Sequence, residues 1–317
     1  MGKHRFFEHT KIIESWLLQG ICGLSIATLG AKQALAAGAL LPEVGAASAL
    51  RRVASKAVVP SQMLLQGRHC SSSMHQLDKY TIFKHLVDSF KCVGKLGNAT
   101  ITTGQDSSVI TGYPSPSFNV VRFDTKNHAS VDRLKKAGTP FIAIPAKSME
   151  AEFEAFAESQ AMAKADFVTA SVFDDLAHWQ YTPNTKVQIR RVSTTDDLLA
   201  FDQISSVAFS HPQGLAARFL KPAVLHKELA LFVAYINGAA AGGAMISLVN
   251  NQAGLYWNGV LPAFRKQGVG SALVEYRMDY AKQLGFSSIV AQNMTPSVRM
   301  YQRLGFAQVG GLPLYIG

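Results

Sequence analysis

The chain has 317 residues, 48% of them apolar and 16% charged, with a formal net charge of +10. That is the composition of an ordinary globular protein, long enough for two modest domains. Cys22, Cys70 and Cys92 are widely spaced and form no C-x-x-C pair, which argues against a disulfide framework or a zinc site and makes a reducing compartment the default. The Lys/Arg excess is +5 over residues 1–77, −1 over 78–185 and +6 over 186–317. A basic surface at the two ends suits an anionic ligand, an acidic partner or nucleic acid, and a phosphate-rich cofactor is one such ligand.

Residues 1–77 are expected to be an extension or targeting segment with little order of its own. Residues 15–31 carry no charge, follow Lys3, Arg5 and Lys11, and precede the small-x-small triplet Ala34-Leu35-Ala36. This is the outline of a secretory signal, although Glu8, Glu14, Gln19, Gly20 and Gly23 depart from it. As a membrane span the run is short and Gly-rich. Residues 44–77 hold no acidic residue but carry Arg51, Arg52, Lys56 and Arg68, as an organellar transit peptide would. Met63 and Met74 are alternative starts. A dispensable extension, a targeting segment and a membrane-contacting element therefore all stay open, with a cytoplasmic location as the working expectation.

Residues 78–185 read as a smaller α/β domain. Ile82, Leu86, Val87 and Phe90 predict a helix over 81–96. Short strands are predicted at 99–103, 108–111 and 118–123, around the turn-rich Gly112-Tyr113-Pro114-Ser115-Pro116. A short helix at 131–137, a buried strand at 140–144, a helix at 149–163 and a strand at 166–173 follow. His85 and His128 are expected to be surface or satisfied core residues rather than ligands. The Asn98-Ala99-Thr100 sequon matters only in a secreted chain. The polar stretch 179–186 marks the expected domain boundary.

Residues 186–317 form the second domain. Alternation predicts a strand over 187–192, and Ser193, Thr194, Asp196 and Asp197 predict a helix start, with Leu198, Leu199, Phe201, Ile204 and Val207 turned inward. A helix over 215–226 follows. Strands at 229–236 and 240–249 flank the hairpin turn Asn237-Gly238, and a further strand covers 255–260. The next helix places Leu273, Tyr276, Tyr280 and Leu284 on one face and ends at Gly285.

Between that strand and that helix the chain reads Val260-Leu261-Pro262-Ala263-Phe264-Arg265-Lys266-Gln267-Gly268-Val269-Gly270-Ser271. Near-adjacent glycines opening a helix let backbone approach a ligand, and the unpaired amides of the first turn face outward as anion donors. Arg265 and Lys266 add positive charge there. A P-loop is excluded because Gly270 is followed by Ser271-Ala272 instead of Lys-Ser/Thr. A dinucleotide fingerprint is disfavoured by Leu273 at its third small position and by the longer loop.

The stretch resembles the signature of the GNAT superfamily of N-acetyltransferases, Arg/Gln-x-x-Gly-x-Gly/Ala after a Val-x-Pro strand end. The strand expected at 287–292 ends in Asn293, a helix is expected to start at Thr295-Pro296, and Tyr301 to Gly305-Phe306 matches the family's Tyr-x-x-x-Gly-Phe ending. The resemblance implies the GNAT acyl-CoA N-acyltransferase fold, an α/β (α+β) arrangement with a mixed central sheet flanked by helices. It also implies an enzyme that takes acetyl-CoA as acyl donor, without a metal, and moves the acetyl group directly to a primary amine of a small molecule or peptide. By the same resemblance, the strand holding Val260 and the one ending at Asn293 splay apart around pantetheine. The amides of Gln267, Gly268, Val269, Gly270 and Ser271 hold pyrophosphate, beside Val260, Leu261, Arg265 and Lys266. The Val260 N–H polarises the thioester carbonyl and Tyr301 protonates the leaving thiolate.

No carboxylate on 255–260 offers a general base; His211 is a weaker candidate, read chiefly as a loop histidine. With no R-x-x-G-x-G before residue 186, the preceding domain resembles the degenerate first half of a tandem GNAT protein. The rival readings are a catalytically silent acyl-CoA sensor or interaction module and a basic nucleic-acid-associated protein, for which no nucleic-acid module is visible. The acceptor and the acyl length are not written in the sequence.

Overall fold

A computed structural model describes residues 77–96, 99–102, 106–126, 128–221 and 227–317. The features read in residues 1–76, including Cys22 and Cys70, the apolar run 15–31 and the two alternative starts, lie outside the described residues, as does Asn98 of the sequon. Among the described residues no helix is long and apolar enough to cross a membrane.

The elements run α1 (Lys79–Leu96), β1 (Thr100–Thr102), β2 (Asp106–Ile110), β3 (Asn119–Phe123), α2 (His128–Lys136), β4 (Ile142–Pro145), α3 (Glu150–Ser159) and β5 (Ala163–Phe173). After the polar stretch come β6 (Gln188–Arg191), α4 (Thr195–Phe209), α5 (Leu215–Leu220), β7 (Leu229–Ile236), β8 (Ala239–Ser247), β9 (Ala253–Val260), α6 (Val269–Gln283), β10 (Ile289–Asn293), α7 (Val298–Arg303) and β11 (Ala307–Ile316). All strands join one 11-stranded sheet in the order β1-β2-β3-β4-β11-β5-β10-β9-β8-β7-β6.

That order contains a repeat. β3 and β4 are parallel and joined by α2, while β9 and β10 are parallel and joined by α6. Each pair is followed by a 3-10 turn, a helix and a last strand. The last strands are exchanged: β5 runs antiparallel to β10, and β11 runs antiparallel to β4 as well as to β5. Residues 78–185 and 186–317 thus each supply a strand to the other, and the sheet runs across the expected boundary.

Alternation along the strands sorts the core. Val120, Ile144, Leu231, Val233, Tyr256 and Val290 pack with α1, α4 and α5 on one face. Their neighbours Phe232, Leu255, Ile289 and Ala291 pack with α6 and α7 on the other, and Val121, Phe123 and Ala143 pack with α2 and α3. The start of α4 follows its sequence: Asp197 N–H donates to Thr194 Oγ1 at 3.1 Å and Thr194 N–H donates back to Asp197 Oδ2 at 3.1 Å, the reciprocal capping box that satisfies two orphan amides. Buried Asp202 then accepts from Gly214 N–H at 2.7 Å and Ala217 N–H at 2.9 Å, which fixes α5 against α4.

Several expectations require correction. The buried stripe of α6 is Val269, Leu273, Arg277 and Ala281, flanked by Ala272, Val274 and Met278. Leu284 caps the helix beyond the sheet and is 47% exposed, while Tyr276 and Tyr280 lie half-buried at the side against Phe232. On α4, Leu199 and Val207 face solvent. Thr295 does not cap a helix: Met294 holds the cap position of a 3-10 turn over Thr295–Ser297, and Thr295 Oγ1 donates to Asp166 Oδ1 at 2.9 Å. The helix expected over 149–163 ends at Ser159, because the chain reverses through Ala161 at φ +49°. Of the helix expected over 215–226, 215–220 is helical and 222–226 lie outside the described residues.

Candidate active site

β9 and β10 pair over three residues only, Ile289 to Ala253, Val290 to Gly254 and Ala291 to Leu255. Beyond them the strands part, and β10 stays attached through Asn293 to β5 on its other side. β9 bends away at a bulge. Opposite β8 the register passes from Met245–Tyr256 to Gly243–Gly259, so Trp257 and Asn258 share one position facing Ala244. Trp257 takes φ +48° there, the left-handed geometry that a bulge residue adopts to turn its strand.

The gap opens a cavity of about 250 Å³ whose walls include Tyr256, Trp257, Asn258, Gln292, Asn293 and Tyr301. The residues before 186 complete it: Phe83, Leu86 and Phe90 of α1 and Ala165 and Val168 of β5 close one side. Asn293 is 1% exposed, and its side-chain oxygen and nitrogen have no partner among the described residues, nor has Gln292 Oε1. Buried amide groups are rarely left unpaired, and these atoms have the chemistry to pair with amide or carbonyl groups brought into the cavity.

Below the gap, α6 begins in a loop with two left-handed residues, Lys266 at φ +61° and Gly268 at φ +81°. Ala272 N–H donates to Gly268 O at 2.9 Å, leaving the amides of Val269, Gly270 and Ser271 ahead of the first intrahelical bond. Arg265 Nε donates to Val260 O at 3.2 Å and Gln267 Nε2 to Ala263 O at 2.9 Å. The first folds the arginine back onto the strand end, and the second braces the loop. Leu261 N–H donates to Ala241 O at 2.9 Å. Because N–H directions alternate along a strand, the Val260 N–H turns from β8 toward the gap. Of the expected site residues, Asn293 and Tyr301 line the cavity, whereas Val260, Leu261 and the loop 265–271 lie outside its lining, the loop being joined to it through Asn258, whose Nδ2 is 3.4 Å from Gly270 O.

Arg277, which the sequence pattern did not single out, lies at the centre of this arrangement with 0% exposure. Its Nε donates to Leu273 O at 2.8 Å, Nη1 to Met245 O at 2.8 Å and Tyr256 O at 3.1 Å, and Nη2 to Asn258 Oδ1 at 3.0 Å. Its charge also acts on the Tyr301 phenol. Asn258 Nδ2 reaches Gly270 O at 3.4 Å, so the guanidinium links the bulge, the helix start and the tyrosine. Burial pulls Arg277 down to about 10, with Tyr301 acting in the opposite direction, and it is cationic at neutral pH. Burial raises the Tyr301 phenol, against the pull of Arg277. Tyr301 is a protonated donor whose anion has a cation beside it. The signal for Arg277 was its place four residues after Leu273 and four before Ala281.

His211 is 5% exposed but does not line the cavity. Its Nδ1 pairs with Pro212 O at 3.0 Å and its Nε2 with Ser205 Oγ at 2.9 Å, so both nitrogens serve the loop. His128 is exposed and pairs with Gln160 at 2.8 Å. His85 is a satisfied core residue, bound to Tyr256 and Gln252. No cluster able to hold a metal ion occurs among the described residues.

Comparison with known proteins places this architecture. Residues 196–306 match the model of the acetyltransferase (GNAT) family. A Bacillus subtilis (strain 168) protein whose name calls it an acetyltransferase is 23% identical over 122 residues, covering 38% of this chain and 83% of that protein. Among solved structures, a GCN5-related N-acetyltransferase from Kribbella flavida superposes with TM-score 0.52 at 11% identity, over 73% of this chain and 93% of that one. A conserved protein of unknown function from Staphylococcus epidermidis ATCC 12228 superposes with TM-score 0.50 at 16% identity, over 69% and 94%. The C-terminal part of the chain is a GNAT domain, and the class of chemistry that goes with it is acyl transfer.

Proposed function

We propose that the protein is an N-acetyltransferase that moves the acetyl group of acetyl-CoA onto a primary amine of a small molecule or peptide by direct attack. The observation that carries this reading is the position of Tyr301: it lines the cavity opened by the parting of β9 and β10, and the buried Arg277 acts on its phenol. When bound, acetyl-CoA supplies an acyl group on a thioester. The orphan atoms of Asn293 and Gln292 suit the amides of a pantetheine arm, and the amides of Val269 to Ser271 with Lys266 suit its phosphates. Val260 N–H polarises the thioester carbonyl. Tyr301 gives its proton to the departing thiolate, and Arg277 stabilises the phenolate left behind.

Thiol release from acetyl-CoA in the presence of an amine panel tests this. Tyr301→Phe should lower turnover about 100-fold or more, within the range of general-acid loss, while leaving the acetyl-CoA Kd within about twofold. Turnover unchanged by Tyr301→Phe would remove the acid role. Acetyl-CoA binding without transfer to any amine would leave the chain a non-catalytic acyl-CoA binder.

A further inference from the structure

Transfer to an amine needs a proton acceptor as well as a donor, and among the described residues the cavity wall holds no carboxylate, its ionisable groups there being Tyr256 and Tyr301. Tyr301 is used as the donor. Tyr256, from β9, joins a buried pair with His85 of α1, its oxygen 2.6 Å from His85 Nδ1. His85 Nε2 lies 2.9 Å from Gln252 O. A carbonyl can only accept, so Nε2 carries the ring proton, Nδ1 is bare, and the Tyr256 hydroxyl donates to it.

The ring has a prepared seat. It stacks on the Tyr256 ring at 5.9 Å and 16° and rests on Gly254, where an added Cβ would lie 2.6 Å from its Cε1 and 2.7 Å from its Nδ1. On its far side His85 borders a second cavity of about 210 Å³ that Lys84, Asp88, Asn250 and Gln252 help to line. The dyad therefore connects the inner cavity to an outer one. The charged groups facing His85 are Asp88 and Lys84, both from its own helix and opposite in effect. From elsewhere come the uncharged Tyr256 hydroxyl and the carbonyls of Gln252 and Val249. Burial lowers the His85 pKa below its ordinary value, so the ring is neutral at neutral pH and holds an added proton only in passing.

We propose that Tyr256 and His85 carry the acceptor amine's proton out of the reaction cavity, which gives the first half of the chain a chemical part in the reaction. The assignment rests on the acyl-transfer reading. As the amine nitrogen bonds to the thioester carbon and the C–S bond breaks, Tyr301 gives its proton to sulfur. The surplus proton on nitrogen passes to the Tyr256 oxygen while the Tyr256 proton passes to His85 Nδ1. Tyr256 ends neutral and His85 ends as an imidazolium. The imidazolium then loses one proton to water in the outer cavity, and Tyr301 regains one from water. Tyr256 is the group that meets the amine, and His85 acts through it.

The test uses the full chain with acetyl-CoA and phenethylamine, following thiol release from pH 5.5 to 9, together with a pH titration of ¹⁵N-histidine-labelled protein by NMR. The route predicts that His85 appears as the Nε2–H tautomer, and that its NMR midpoint coincides with the acidic limb of kcat/KM. His85→Gln should cost about 100-fold in kcat and abolish that limb, with acetyl-CoA Kd unchanged within about twofold. Tyr256→Phe keeps the ring packing and should give the same loss. An acidic limb retained in His85→Gln, or a midpoint well away from the limb, overturns the route while leaving acyl transfer intact. No thiol release from bound acetyl-CoA with phenethylamine or with an alkyl, aryl and peptide amine panel defeats the acyl-transfer reading and the route with it.

Discussion

The Arg277 guanidinium, wholly buried midway along α6, opposes the rise that burial imposes on the Tyr301 phenol of α7, so the charge of one helix of the GNAT domain acts on the side chain of another. A charge so deep is tolerated because four carbonyl or amide oxygens accept from it: those of Leu273, Met245, Tyr256 and Asn258. The same bonds hold β8 and the bulged β9 at a set distance from α6, so the guanidinium shapes the gap as well as facing the phenol.

Arg277→Met should therefore be costly twice over. Removing the donors strands buried carbonyls at a cost of about 3 kcal/mol in urea unfolding. Turnover should fall by about tenfold or more beyond any change in acetyl-CoA affinity, because the phenolate loses its cation. A variant as stable as the wild type would contradict the network.

Asn293 offers a second test. Its two buried polar atoms have no partner among the described residues, so Asn293→Leu should leave the melting temperature unchanged or raise it. The same variant should weaken acetyl-CoA binding by about tenfold, the worth of one or two lost hydrogen bonds. A large drop in stability with unchanged affinity would mean that the amide serves the fold rather than the ligand.

The exchange of β5 and β11 predicts cooperative unfolding. With β11 seated between β4 and β5, and β5 beside β10, neither half has a complete sheet alone. Calorimetry on the full chain should show one main transition for the two halves, with agreement between calorimetric and van't Hoff enthalpies. Two well-separated transitions would contradict the interlock.

Acid should weaken the fold through its buried histidines. Burial lowers the pKa of His85 and of His211 from 6.5, so the unfolded chain binds protons more readily than the folded one. The sign is a stability present in full above about pH 6.5 and lost as pH falls toward the two folded values. Urea unfolding between pH 7.5 and 5 should show that loss, and His85→Gln combined with His211→Gln should flatten the curve between those limits.

The glycine loop, the Tyr301 helix and the order of elements after residue 186 were legible because short-range chemistry dictates them: Gly268 must take a positive φ, and Thr194 with Asp197 must start a helix. β11 was not legible, since Gly310, Gly311 and Pro313 break its alternation and its pairing is set by strands more than 100 residues earlier in the chain. Arg277 was hidden for a related reason. A charged residue on a helix reads as surface until its acceptors, which come from β8 and β9, are known. The cavity drew on both halves, so no local pattern announced Phe83, Phe90 or His85 as its neighbours.

The central claim is that an acyl-CoA occupies the gap between β9 and β10 with its phosphates on the amides that open α6. Isothermal titration of acetyl-CoA into the full chain and into Gly268→Val tests it most directly, since a valine there must adopt φ +81° and meets Asn184 Nδ2 at 3.1 Å. Micromolar binding to the wild type, lost or weakened at least tenfold in a folded Gly268→Val, is the predicted result. A folded wild type that gives no heat with acetyl-CoA, or a Gly268→Val variant that binds as tightly as the wild type, would contradict it.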